Sequence, residues 1–184
     1  MDDGVDGLVD GAHPTPAEDL LHLVLADRLQ WISRGAGGAA RAHSKPAGGD
    51  NPFAGGGRRA VIVGLGIDLI EQERVARALD RWGERLVAKL MGAAEASRLP
   101  HGSDRARAVA LAIAAKEAAS KALGTGWTRG VCWRDVVVDL GPPVAVRLEG
   151  GALRWAHRLG SAGRTRAALE VRGDLVIGQV RLLS

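Results

Sequence analysis

The chain has 184 residues, 46% hydrophobic and 25% charged, close to the usual values for soluble globular proteins. No stretch approaches the roughly 18 uninterrupted apolar residues of a membrane span, and the single cysteine, Cys132, rules out an internal disulfide. The net charge of +4 is uneven: residues 1–59 hold 8 acids against 6 Lys/Arg, and residues 60–184 hold 13 against 19, so the second part favours an anionic partner.

In chain order, residues 1–13 are rich in Gly and Asp and read as disordered. "TPAEDLLHLVLADRLQWISRG" follows, with Thr15 and Glu18 at capping-box spacing, Pro16 at the first helical position and Gly35 as a stop. It predicts one amphipathic helix over about 15–34, which is marginal alone. Residues 35–59 then read as a Gly-rich linker, so 1–59 form an N-terminal extension and 60–184 the organised domain.

"AVIVGLGIDLI" predicts a buried strand ending near Asp68. "EQERVARALDRWGERLVAKLM" predicts one helix with two stripes. Val75, Leu79, Trp82 and Leu86 make the apolar stripe, and Arg74, Arg77, Arg81 and Arg85 make a basic one beside it. "SDRARAVALAIAAKEAASKALGTG" is a second helix, capped by Ser103 or Asp104 and stopped by Gly124 or Gly126. "WRDVVVDL" and "VAVRLEG" flank a Gly-Pro-Pro turn, "GGALRWAHRLG" is a short helix, and the chain closes with a hairpin turning at Gly173-Asp174. Two hairpins and few crossovers predict an α+β fold with a largely antiparallel sheet.

Two acids stand in locally apolar settings. Asp68 follows the first apolar run, and Glu117 lies on the helical arc of Ala110, Ile113 and Ala114. A buried carboxylate requires a cation or strong donors. Lys121, one turn beyond Glu117, is the sequence-local partner for it, whereas Asp68 has none. Two carboxylates meeting in space suit a divalent ion with phosphates and waters, and Gly124-Thr125-Gly126 would offer backbone N–H groups to an anion. The plainer alternative is that Asp68 caps the next helix and Glu117–Lys121 is a surface ion pair.

The blocks "GLGIDLIEQERVARAL", "AAKEAASKALGTGWTRGVCWRDVVV" and "GPPVAVRLEGGALRWAHRLG" together resemble the bacterial holo-acyl-carrier-protein synthases, the small 4′-phosphopantetheinyl transferases. The resemblance runs from about Val61 to Leu182 and omits residues 1–59. It implies a compact transferase fold, a homotrimer sharing active sites, coenzyme A as donor and a serine of an acyl carrier protein as acceptor. It implies Asp68 and Glu117 as ligands of Mg²⁺ and as catalytic residues, with Lys121 approaching the transferred phosphate. Lys121, Gly124, Thr125 and Arg166 are the implied coenzyme A contacts, and Arg74, with Arg77 and Arg81 along its stripe, the implied carrier-binding face. The product would be 3′,5′-ADP, and the setting cytoplasmic lipid and fatty acid biosynthesis. The alternative is a catalytically weakened homologue that binds carrier protein as an assembly module.

Several positions depart from the family pattern. Ala112 stands where arginine is common, Met91-Gly92 where a Phe/Leu-Thr pair is usual, Pro142 where lysine is frequent, and Arg166-Ala167-Ala168 in place of a His-Val-Ser/Thr strand. With aromatics at 3%, a nucleic-acid partner is not expected. The histidines have no ligand-like spacing, so no zinc site is proposed. Cys132 is expected to be small and buried, and Trp133 and Trp155 to be core or subunit-contact residues.

Overall fold

The structure is a computed structural model and describes residues 60–184. The helix expected at about 15–34 and the linker after it lie outside the described residues. Strand β1 (Ile62–Glu71) leads into helices α1 (Gln72–Trp82), α2 (Glu84–Leu90) and the single turn α3 (Ala93–Ala96). Helix α4 (Asp104–Leu123) is followed by a 3₁₀ turn at Trp133–Asp135 and the hairpin β2 (Val136–Asp139) and β3 (Ala145–Leu148). Helix α5 (Gly150–Arg158) and the hairpin β4 (Arg164–Arg172) and β5 (Leu175–Leu183) complete the chain. The larger sheet is antiparallel with order β1-β5-β4, so the first strand meets the last. The expected α+β class with antiparallel sheets is observed.

The middle of the fold is α4. From Ala108 to Leu123 its side chains are buried on nearly every face, as an alanine-rich helix covered on all sides should be. Small residues let it lie unusually close to the sheet. A Cβ at Gly64 would fall on the carbonyl oxygen of Ala122, one at Gly66 on that of Ala118, and one at Gly178 on the Ala114 backbone. Glycine is required where two backbones touch.

Three expectations are corrected by the structure. The helix predicted after β1 is broken at Gly83, whose φ of 51° is left-handed, so α1 and α2 are separate helices, with Arg74, Arg77 and Arg81 on α1 and Arg85 on α2. Strand β1 is buried on one face only. Gly66, Asp68 and Ile70 point inward, while Leu65, Ile67 and Leu69 are 43–52% exposed on the outer face. The two hairpins and the Gly173-Asp174 turn stand where the sequence predicts them, although Trp133–Asp135 is a 3₁₀ turn rather than strand.

Candidate active site

Asp68 is not at the end of its strand but within it, three residues before Glu71. It does not cap α1, whose N-cap is Glu71. Strand alternation turns it toward α4, and register places it opposite Gly178. Gly66 rests on Ala118 and Gly178 on Ala114, so Asp68 meets the turn of α4 that carries Glu117. Its side chain is 1% exposed. Lys121 donates to Asp68 Oδ1 at 2.8 Å and to the carbonyl of Ile67 at 3.1 Å, with its own side chain 40% exposed. The ammonium thus bridges a buried carboxylate and solvent.

This corrects the expected pairing. Lys121 answers the charge of Asp68, fifty-three positions away, rather than only that of Glu117 one turn back. Glu117, 8% exposed, accepts a hydrogen bond at Oε1 from the indole Nε1–H of Trp127 at 3.0 Å. Ser120 Oγ lies 3.5 Å from Oε2 but gives its single proton to the Glu117 carbonyl at 2.9 Å, the shorter bond. Asp68, Glu117 and Lys121 therefore occupy one junction between β1 and α4, and Glu117–Lys121 is not a plain surface pair.

The turn after α4 differs from expectation in its amides. Gly124 N–H donates to Lys121 O at 3.0 Å and Thr125 N–H to Ser120 O at 3.4 Å, so both close the helix end instead of facing an anion. Thr125 is buried, and its hydroxyl donates to Gly126 O. Arg166 is exposed on the outer face of β4, opposite Arg181 of β5. Arg74 is half-buried on α1. Arg77 is exposed and pairs with Glu73 at 3.2 Å, and Arg81 lies over the Trp82 ring at 4.9 Å.

Among the described residues no group of three or more His, Cys, Asp or Glu side chains converges as a metal cage. A pair of carboxylates without nitrogen or sulfur donors would be the partial, all-oxygen type of set that suits Mg²⁺, an ion that commonly keeps substrate phosphates and water in its shell. The donor set fits that ion.

A family model described as the 4′-phosphopantetheinyl transferase superfamily matches residues 64–178. The chain belongs to this superfamily. The transferase is 38% identical over 122 residues to a holo-[acyl-carrier-protein] synthase of Agrobacterium fabrum, covering 65% of this chain and 91% of the relative. It is 41% identical over 123 residues to one of Methylobacterium sp. (strain 4-46), covering 65% of this chain and 90% of the relative. Among solved structures, a holo-(acyl-carrier-protein) synthase from Bacillus anthracis in complex with CoA (3′,5′-ADP) matches with a TM-score of 0.54 and 28% identity, covering 67% of this chain and 97% of that one. The family and the fold expected from the sequence are both borne out.

Two further parts of the transferase escape sequence reading. Lys116 is wholly buried and ion-paired to Glu95 Oε2 at 2.9 Å; its ammonium also donates to the carbonyls of Trp133 and Val136. Glu95 Oε1 accepts from the Val138 N–H at 3.1 Å. Burial pushes the Lys116 pKa below its ordinary value, with Glu95 opposing that shift. The available signal was a lysine inside an otherwise small-residue helix, which demands an acid from elsewhere in the fold. The second is a cavity of about 70 Å³ lined by Met91, Glu95, Ala112 and Gly141 among others. Its lining includes Met91 and Ala112, two of the positions read from the sequence as departures from the family pattern. Cys132 is exposed, against expectation, whereas Trp133 is buried as expected.

Proposed function

We propose that this transferase moves the 4′-phosphopantetheine arm of coenzyme A onto a serine of an acyl carrier protein, with Mg²⁺, releasing 3′,5′-ADP. The observation that carries the reading is the junction of β1 and α4, where Asp68 and Glu117 are held below the surface and Lys121 reaches from Asp68 to solvent. Bound by the two carboxylates, Mg²⁺ supplies the Lewis-acid charge that offsets the coenzyme A diphosphate. Lys121 then neutralises charge on the phosphoryl oxygens and on the departing 3′,5′-ADP, in the manner of phosphoryl transfer by positioning and electrostatics. The serine oxygen forms a bond to the β-phosphorus, the bond from that phosphorus to the bridging oxygen breaks, and the hydroxyl proton passes to a carboxylate of the site or to water.

The carrier docks on Arg74, Arg77 and Arg81, where complementary charge chiefly raises encounter rate and sets register. Active sites are shared in a homotrimer, a reading supported by the outer face of β1 and β5, which is exposed among the described residues. There Leu65, Ile67 and Leu69 are exposed, and a groove of about 400 Å³ is lined by Ile67, Ala168, Leu169, Glu170, Ile177 and Gln179. Arg166, on the same sheet face, serves coenzyme A of a neighbouring site. Gly124 and Thr125 serve that ligand by shaping the turn rather than through their own amides. Residues 1–59 remain an extension to the catalytic domain of residues 60–184, and the setting is cytoplasmic fatty acid biosynthesis.

The test is intact-mass measurement of an apo acyl carrier protein incubated with the protein, coenzyme A and Mg²⁺. Phosphopantetheine addition, lost in Glu117→Ala, is the expected result. Carrier binding without any addition would replace this reading by that of a docking module.

A further inference from the structure

Trp127 does something that an apolar residue at its position would not. The turn at Gly124–Gly126 returns the chain over the end of α4, closed by Thr128 Oγ1–H donating to Thr125 O at 2.7 Å and Val131 N–H to Thr128 O at 3.0 Å. That return brings the Trp127 ring onto the ring of Trp133, with centroids 4.0 Å apart and planes at 19°, and aims its N–H at Glu117 Oε1. Stacking alone needs only an aromatic ring; the hydrogen bond needs the indole nitrogen. Trp133 is fixed in turn, because it is buried and its carbonyl accepts from the Lys116 ammonium at 3.2 Å, which Glu95 anchors. One continuous line of contacts therefore runs from Glu95 through Lys116, Trp133 and Trp127 to Glu117. Its last link is a neutral donor on a nearly buried carboxylate, which orients that group without cancelling its charge.

We propose that Trp127 is a positioning residue for the transfer: its indole N–H holds one oxygen of Glu117 and so fixes the orientation of the carboxylate that takes the cation. The assignment rests on the reading of Glu117 as a ligand. Partners of this kind behind metal ligands commonly change metal affinity by about 10- to 100-fold when removed.

Trp127→Phe keeps the stack and deletes the donor. The probe is Mn²⁺, titrated with coenzyme A present and no carrier protein, with free Mn²⁺ read by electron paramagnetic resonance. The variant is expected to bind Mn²⁺ about tenfold more weakly than the wild type, with an unchanged far-UV spectrum. Equal affinity overturns the positioning role and leaves the transferase reading intact. If the wild type takes up no Mn²⁺, the ligand role of Glu117 falls, and the role of Trp127 with it. A second measurement needs neither metal nor a folded Trp127 variant. In a ¹⁵N-labelled protein the Trp127 indole N–H resonance should stand downfield and move upfield in Glu117→Ala. No movement would show that the bond is not made, and would overturn the proposal.

Discussion

Replacing Lys116 by methionine tests how the turn bearing Glu117 is held. The methionine fills most of the volume of the lysine stem, so the perturbation is chiefly loss of the ammonium. That removes the partner of Glu95, whose side chain is only 4% exposed, and three donated hydrogen bonds, one to Glu95 and two to the carbonyls of Trp133 and Val136. Breaking a buried ion pair from one side costs about 3–5 kcal/mol. Glu95→Leu with Lys116→Met removes the stranded charge, but leaves the Val138 N–H without its acceptor and the Val136 carbonyl without the ammonium, each worth about 1–3 kcal/mol, while the Trp133 carbonyl keeps the Val136 N–H. The double variant should therefore be less destabilised than the sum of the two single variants, yet not restored to wild type. Urea unfolding followed by circular dichroism at one protein concentration gives all four corners of the cycle. A Lys116→Met cost below about 1 kcal/mol, or additive single effects, would refute the reasoning.

The same pair carries a pH signature. Because the folded pKa of Lys116 is lowered from 10.5, the unfolded chain holds that proton more tightly between the two values, and the contribution of Lys116 to stability rises with pH across that window. The stability gap between wild type and Lys116→Met should widen as pH climbs toward 10.5, and a gap that narrows would reverse the assigned sign. Gly66→Ala would set a methyl group on the Ala118 carbonyl and should cost at least about 1–3 kcal/mol, read as a fall in thermal midpoint; an unchanged midpoint would deny the close approach of β1 and α4. Arg77→Glu with Arg81→Glu should slow association with the carrier at low salt by an order of magnitude or more while sparing coenzyme A binding, and stopped-flow traces that match wild type would remove the docking face. Ile67→Glu on the outer face of β1 should lower the mass seen by light scattering toward that of one chain, whereas an unaltered assembly would place subunit contacts elsewhere.

Local rules carried the sheet well. The Gly173-Asp174 turn, the Gly-Pro-Pro turn and the strands beside them are short-range features, and the observed hairpins follow them. The break at Gly83 was hidden because the apolar stripe of Val75, Leu79, Trp82 and Leu86 continues across it, and one glycine costs a helix only about 1 kcal/mol. At the candidate site, Asp68, Glu117 and Lys121 stand out in the sequence, but their bonds do not. Spacing along one helix suggests Glu117–Lys121, whereas the bond from Lys121 to Asp68 depends on how closely two glycines let β1 approach α4. Trp127, Lys116 and Glu95 act across ten to twenty-one positions through the folded loop, and no periodicity in the chain marks such contacts.

The proposed function requires Asp68 and Glu117 to hold one divalent ion against the coenzyme A diphosphate. Crystals grown with Mn²⁺ and coenzyme A, measured for manganese anomalous scattering, test it most directly. One strong peak is expected within bonding distance of both carboxylates and of a phosphate oxygen. A peak elsewhere, or ordered coenzyme A with no peak beside those two side chains, would contradict it.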